Sequence, residues 1–118
     1  MIRVATLDQA RAALTEAPPG AAVLLFSPPA AALSLGVGWW RALERALRHD
    51  YPDRNFEAVL DCGPAPGHAL EAIRAGVTAV MLDAPPNVLE AVADIATASG
   101  ARVLGVGPAL PLPSGERK

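Results

Sequence analysis

Residues 58–85, AVLDCGPAPGHALEAIRAGVTAVMLDAP, contain a complete strand–loop–helix–strand unit. Two short aliphatic runs of strand length end in acids, with Asp61 beside Cys62 in the first run and Asp83 at the end of the second. Between them, residues 67–75 carry apolar side chains at helical spacing and stop at Gly76, a typical helix C-cap. The stretch therefore predicts two strands joined by a helix.

The same form recurs along the chain. AVLLFSPP at 22–29, AVMLDAPP at 79–86 and RVLGVGPA at 102–109 resemble AVLDCGPA at 58–65. Near-continuous aliphatic strands are typical of parallel sheets, and the intervals between these runs have helical patterns. With a short edge strand at residues 2–5, we expect an α/β fold with a mostly parallel five-stranded sheet. Two arrangements of this sheet are compatible with the pattern. One is a doubly wound layer, Rossmann-like or flavodoxin-like, and the other is a half-barrel-like layer.

Local signals place the helices. Thr6 and Gln9 predict a capping box that opens a helix reaching about residue 17. A second helix, within residues 39–50, has one apolar stripe and an opposite charged face, on which Glu44 and Arg48 have i,i+4 spacing. The stripe comprises Trp40, Leu43 and Leu47. Further helices are predicted over residues 67–75 and after PPN at 85–87.

Composition indicates one α/β domain, over residues 1–107, followed by a proline-rich tail at 108–118. The chain is 52% hydrophobic, which excludes a disordered protein, and its net charge of −2 gives no basic footprint for nucleic acid. A single cysteine, Cys62, permits no intramolecular disulfide and suits a reducing compartment. The N-terminal residues lack the pattern of a signal peptide, so we expect a cytoplasmic protein.

Residues 17–40 require a membrane check because they carry no charged side chain and are long enough to span a bilayer. Pro28 and Pro29 lie in the middle of this stretch, where they would break helical hydrogen bonding. A strand followed by an apolar loop is therefore the favoured interpretation, and no membrane span is expected.

Ligands of parallel α/β folds bind beyond the carboxyl ends of the strands. This rule selects Asp61, Asp83 and His68 as catalytic candidates. It selects Ser27, Cys62, Gly63, Gly105 and Gly107 as ligand-binding candidates. In the aligned runs Cys62 and Asp83 share a column and Asp61 occupies the neighbouring one. Because strand side chains alternate, Cys62 and Asp83 are predicted on one face of the sheet and Asp61 on the other.

Each candidate has a structural alternative. Asp61 and Asp83 are either acid/base groups or residues that organise the following turns, and the turn role is favoured. Cys62 is either a nucleophile or, as we favour, a buried inert thiol. His68, one turn from Glu71, is a possible proton carrier or metal ligand, but too few ligands accompany it to predict a metal site. No cofactor motif is present, so none is expected.

The stretch VLDCGPAPGHALEAIRAGVTAVMLDAP resembles one βα unit of the class II fructose-bisphosphate aldolases. In that comparison Asp61 matches the family's catalytic aspartate, and Asp83 matches the strand-end aspartate of the next unit. Cys62 stands where the family has a zinc-ligand histidine, so the family's zinc site and aldolase activity are not implied. The resemblance implies a chain built like a piece of a (β/α) barrel.

The loop PPAAALSLGVGWW offers apolar residues without evident internal partners, namely Leu33, Leu35, Val37 and Trp39. Such residues often mark an interface, so we expect a homodimer. The favoured function is a small self-associating α/β binding or assembly module without catalysis. The alternative is a binding protein for a small anionic, phosphate or sugar-phosphate-like ligand, or a lyase-like enzyme, that uses the strand-end rim. A phosphoacceptor role for Asp61 is weaker, because the accompanying acidic pair and lysine are missing.

Overall fold

The computed structural model describes residues 1–106, so Gly107 and the predicted tail at 108–118 lie outside the described residues. Strands and helices alternate along the chain, which confirms the predicted α/β fold. The elements are β1 (Ile2–Arg3), α1 (Leu7–Glu16), β2 (Val23–Phe26), α2 (Ala31–Ser34), α3 (Val37–Asp50), β3 (Phe56–Asp61), α4 (Pro66–Arg74), β4 (Ala79–Met81), α5 (Pro86–Ala98) and β5 (Arg102–Leu104).

The five strands form one parallel sheet in the order β1-β2-β3-β4-β5. Every connection therefore steps to the next strand in the same direction. Because βαβ crossovers are right-handed, this order brings all the connecting helices to one face of the sheet. A doubly wound sheet would instead reverse direction and carry helices on both faces. The arrangement is single-sided, not doubly wound.

The buried side chains divide into two clusters that correspond to the two faces. The larger cluster joins every helix to alternate strand residues such as Leu25, Leu60 and Val80. The smaller one contains strand residues, Phe26, Val59, Ala79 and Met81, with Leu104 and Val106 packed beside them. We call the first side the helical face. The second, on which no helix of residues 1–106 packs, is the helix-free face.

Helix α3 anchors the helical face. Trp40, Leu43 and Leu47 are buried in the core, as the apolar stripe predicted. Glu44, which lies off this stripe, is nevertheless only 8% exposed. Its carboxylate accepts a hydrogen bond from Arg48 Nη2 at 3.2 Å, and the Arg48 guanidinium lies 4.2 Å from the centre of the Phe56 ring. The ion pair with Arg48 thus gives the nearly buried Glu44 carboxylate a charged partner.

The start of α1 has the predicted capping box. The Thr6 hydroxyl accepts a hydrogen bond from the Gln9 backbone N–H at 3.1 Å. The Gln9 side-chain oxygen accepts from the backbone N–H groups of Thr6 and Ala5, at 3.3 and 2.7 Å. These bonds satisfy donors that a helix start otherwise leaves free, so the sequence specifies where α1 begins.

The predicted apolar loop after β2 contains a short helix, α2, which the sequence analysis missed. Ala30 has a left-handed conformation, with φ of 52°, before this helix, and Gly36 with φ of 90° separates it from α3. Val37 and Trp39 belong to α3 and are half-buried against the core, so the expectation that they lack internal partners is wrong.

None of the helices described in residues 1–106 has both the length and the apolarity that a membrane crossing requires.

We predict that Thr6→Ala lowers the free energy of unfolding by about 1 kcal/mol, because the Gln9 N–H loses its acceptor. Urea unfolding followed by circular dichroism measures this change. Thr97→Ala, at an exposed position within α5, is the matched control and should change the value by less than about 0.5 kcal/mol. Equal losses in the two variants would contradict the capping role.

Candidate functional site

Asp61, at the end of β3, is the centre of a hydrogen-bonded network. One carboxylate oxygen, Oδ2, accepts from Arg3 Nη1 at 2.8 Å, and the same arginine nitrogen donates to the Ser27 carbonyl at 2.8 Å. The other oxygen, Oδ1, accepts from the Gly63 backbone N–H at 2.9 Å. The Asp61 side chain is only 9% exposed. Both carboxylate oxygens are therefore engaged in holding β1, β3 and the loop after β3.

Ser27 and Gly63 complete this network as structural residues. The Ser27 hydroxyl accepts from the Asp61 backbone N–H at 2.9 Å and donates to the Pro28 carbonyl at 3.1 Å. Gly63 has φ of +57°, and a Cβ added there would lie 3.1 Å from the Cβ of Ala30. The positive φ and this close approach both favour glycine. The Ser27 hydroxyl and the Gly63 N–H, in two predicted ligand-binding residues, thus form their hydrogen bonds within the protein.

The sheet register corrects the predicted sides of the two aspartates and the cysteine. Asp61 pairs with Met81, which places Cys62 beside Leu82 in the helical-face core. The aligned runs predicted Cys62 beside Asp83, which differs from the observed pairing of β3 with β4 by one residue. Because strand side chains alternate, a difference of one residue changes which residues of the two strands share a face. The Asp83 N–H donates to the Gly63 carbonyl at 2.8 Å, so the ladder continues to this point. By strand alternation, Asp61 and Asp83 belong to the helix-free side and Cys62 to the other.

Cys62 is fully buried, and its sulfur lies 3.7 Å from the Leu60 carbonyl oxygen. Burial raises the pKa of the thiol to about 12, and the negative charge of Asp61 adds to this effect. The thiol therefore stays protonated at neutral pH. Because the thiolate is the nucleophilic form, this environment agrees with the inert interpretation of Cys62.

Asp83 and His68 are both exposed. His68 lies in the first turn of α4, where its Nδ1 is 3.5 Å from Glu71 Oε1. Within residues 1–106, no hydrogen bond joins His68 to Asp61 or Asp83. The same residues contain no group of three or more His, Cys, Asp and Glu side chains that could hold a metal ion. The structure does not bring the three catalytic candidates together as a bonded triad.

Of the two glycines predicted after β5, only Gly105 lies within the described residues. A Cβ added at Gly105 would lie 3.3 Å from Leu89 Cδ1, so the position is tightly packed against α5. Gly107 lies outside the described part of the chain. Gly105 is therefore a point of close contact between β5 and α5.

A cavity that sequence reasoning missed lies at the opposite edge of the sheet, where the strands begin. It has a volume of about 570 Å³ and is lined in part by Arg48, Asn55, Glu57 and Arg102. Arg102 donates to Glu57 through Nε at 2.9 Å and through Nη2 at 2.5 Å, and this bonding raises the pKa of Arg102. The two residues are 45 positions apart, so no local sequence pattern predicts their pairing. With Arg48 bonded to Glu44, each arginine here has a carboxylate partner.

No protein-family model, no curated protein and no solved structure matches this chain. The expectations that follow from the aldolase-type resemblance therefore stay expectations. The function has to be argued from the geometry of this chain.

We predict that Asp61→Ala lowers the free energy of unfolding by about 2 kcal/mol, because it removes a buried acceptor from Arg3 and Gly63. Asp83→Ala, which removes an exposed carboxylate at the same edge, should cost less than about 0.5 kcal/mol. Chemical denaturation of the two variants measures both values. Equal stability of Asp61→Ala and wild type would show that the network does not support the fold.

The Cys62 thiol should also make stability depend on alkaline pH. Above pH 9.0, the ordinary pKa, an unfolded chain loses the thiol proton, whereas the native state keeps it up to about pH 12. The unfolded state then binds fewer protons, so stability falls as pH rises. Between pH 7 and pH 10 we expect a loss of about 1 kcal/mol from this residue. Urea unfolding of wild type and Cys62→Ala at both pH values isolates it, and identical pH dependence would contradict the prediction.

Proposed function

We propose that this protein is a small self-associating α/β assembly module that performs no catalysis of its own. The observation that carries the proposal is an exposed pair of leucines beside the carboxyl edge of the sheet. Leu33 and Leu35, in and directly after α2, are 47% and 49% exposed. We call this pair the α2 patch. Large apolar side chains left in water together favour association with another surface.

The helix that carries the α2 patch is anchored to the hydrophobic core. Ala31 and Ala32 of the same helix are buried in the core, and the N–H groups of Leu35 and Gly36 both donate to the Ala31 carbonyl, at 2.7 and 3.1 Å. A surface that is already ordered loses less conformational entropy when it binds. This rigidity supports an interface role for the two leucines.

A second copy of the chain is the occupant that we propose for the patch. In a two-fold dimer the same surface of each copy meets the other, so one apolar patch is sufficient to form the contact. Residues 17–40 contain no charged side chain. Two copies can thus bring this segment together without burying a charge, which would be costly. The expected homodimer is therefore proposed with Leu33 and Leu35 at its centre, and without Val37 and Trp39.

The alternative of an anionic-ligand site or lyase-like enzyme at the strand-end rim receives less support. Arg3 is a cation beside the rim, and its charge is balanced by Asp61 at 2.8 Å. Asp83 adds an exposed carboxylate to the same side of the sheet. A phosphate-like ligand would meet two carboxylates there, and repulsion between like charges disfavours that binding. We therefore place the self-associating module first.

The test of the proposal is the mass of the full chain in solution as a function of concentration. We expect twice the monomer mass at tens of micromolar by light scattering, and a dissociation constant raised at least tenfold in Leu33→Glu/Leu35→Glu. Burying a carboxylate in an apolar contact without a partner opposes the association. Both leucines are exposed in the monomer, so the thermal midpoint of dilute samples should stay close to that of wild type.

Ile95→Glu is the matched control, because Ile95 is a large apolar side chain with 45% exposure on α5. It should leave the dissociation constant unchanged. A monomeric wild type at tens of micromolar would contradict self-association. An equal effect of Ile95→Glu would instead contradict the assignment of the interface to the α2 patch.

A further inference from the structure

The first residues of four neighbouring strands line the cavity at the amino edge of the sheet, which we call the amino-edge cavity. Residues 22–24 lie at the start of β2, residues 55–57 at the start of β3, Thr78 directly before β4 and Arg102 at the start of β5, and Arg48 of α3 completes the lining. The strands are hydrogen-bonded to one another here. Side chains on such regular elements are held in place more precisely than those on loops. The walls of the cavity are therefore formed before any ligand binds.

Part of this lining is apolar. Val23 and Phe56 are buried, and Leu24, between them in the lining, is 40% exposed. The volume of about 570 Å³ is within the range of pockets that hold small molecules. Such pockets combine an apolar surface with a few polar groups that orient the ligand. The amino-edge cavity therefore has room and apolar contact area for the carbon chain of a small molecule.

Two arginines are fixed at the cavity by bonds that leave some of their donors free. Arg102 donates to Glu57 through Nε and Nη2. Arg48 Nη2 donates to Glu44 at 3.2 Å and to the Phe56 carbonyl at 3.3 Å, and its guanidinium lies 4.2 Å from the centre of the Phe56 ring. A guanidinium group has more N–H donors than either set of bonds uses. Both arginines can therefore bind a further acceptor without leaving their carboxylate partners.

Asn55 and Thr78 add uncharged donors to the same lining. Their backbone carbonyls are engaged, because Asn55 accepts from the Val23 N–H and Thr78 from the Arg102 N–H, both at 3.0 Å. Their side chains, by contrast, form no hydrogen bond with another of residues 1–106. The carboxylate in the lining, that of Glu57, already accepts from Arg102. The cavity therefore offers more free donors than free acceptors.

The charge of the lining decides which kind of acceptor fits. Arg48 and Arg102 are positive and Glu57 is negative, so the net charge of the lining is +1. Glu44, the partner of Arg48, is buried and does not line the cavity. The carboxyl end of α3 brings a partial negative charge towards this edge, which Arg48 and His49 in the last turn of that helix counter. One negative charge on a ligand is balanced here, whereas a phosphate dianion would leave an excess.

We propose that the amino-edge cavity binds a small organic monocarboxylate, with its carboxylate towards Arg48, Asn55 and Thr78 and its carbon chain on Phe56 and Leu24. Hydrogen bonds between a guanidinium and a carboxylate are strong, because both partners are charged. The α2 patch follows the opposite, carboxyl end of β2. The cavity is therefore open in the proposed dimer as well, and the inference does not depend on that dimer.

The test titrates hexanoate, a monocarboxylate with a short apolar chain, into the isotope-labelled full chain and follows its amide NMR spectrum. We expect saturable shifts of the Asn55 side-chain amide and of the Phe56 and Thr78 backbone amides, with a dissociation constant of about 1 mM or lower. Hexanamide, which has the same shape without the charge, should bind about tenfold more weakly or worse, and so should inorganic phosphate. Absence of saturable hexanoate binding, or equal binding of hexanamide or phosphate, would overturn the proposal.

Asn55→Asp tests the position of the carboxylate, because it adds a negative charge to the cavity without changing the size of the side chain. Repulsion between like charges should raise the dissociation constant of hexanoate about tenfold or more. Asn87→Asp, the same change at an exposed position of α5, is the matched control and should leave the constant unchanged. An unchanged constant in Asn55→Asp, or an equal rise in both variants, would contradict the assigned site.

Thr78→Val keeps the shape and charge of the cavity and decides the matter even if Asn55→Asp perturbs the fold. Loss of the hydroxyl donor should raise the dissociation constant of hexanoate about threefold or more. An unchanged constant, or hexanoate shifts confined to Leu33 and Leu35 instead of the cavity, would overturn the proposal. The mass of the chain by light scattering should not change with hexanoate, so this proposal and the proposed dimer can fail separately.

Discussion

The right-handed crossover is the constraint on which the rest of this structure depends. Five parallel strands in sequential order leave each connecting helix one side of the sheet to occupy, and it is the same side each time. The helical face then receives a full hydrophobic core, built on Trp40 and the buried strand residues. The other face is left without helices from residues 1–106, although its central side chains are just as apolar.

This one-sided architecture also determines how the polar residues at the carboxyl edge are used. With no helix above the helix-free face, Asp61 is held by Arg3 from β1 and by the Gly63 N–H of its own loop. Ser27 is tied to the Asp61 backbone in the same way. Residues that often bind ligands in parallel α/β proteins here join strands and loops to one another. The chemistry of the edge is therefore mainly structural, which agrees with a protein that acts through its surfaces.

The α2 patch and the helix-free face differ in how far their apolar side chains are exposed. Leu33 and Leu35 are about half exposed on a short, firmly attached helix, as suits contact with a second copy. Val59 and Met81, on the helix-free face, are almost completely buried.

What the sequence determined by itself is local. The capping box of Thr6 and Gln9, the stripe of Trp40, Leu43 and Leu47, and the aliphatic strands depend on spacing within a few residues, and all were predicted. Tertiary structure alone decided the sheet register, which paired Asp61 with Met81 and placed Asp83 on the side of Asp61, opposite Cys62. It also decided the burial of Glu44 and the pairing of Glu57 with Arg102. Hydrogen bonds and contacts between distant segments set these features, and a strand's own residues do not record which position of its neighbour they will face.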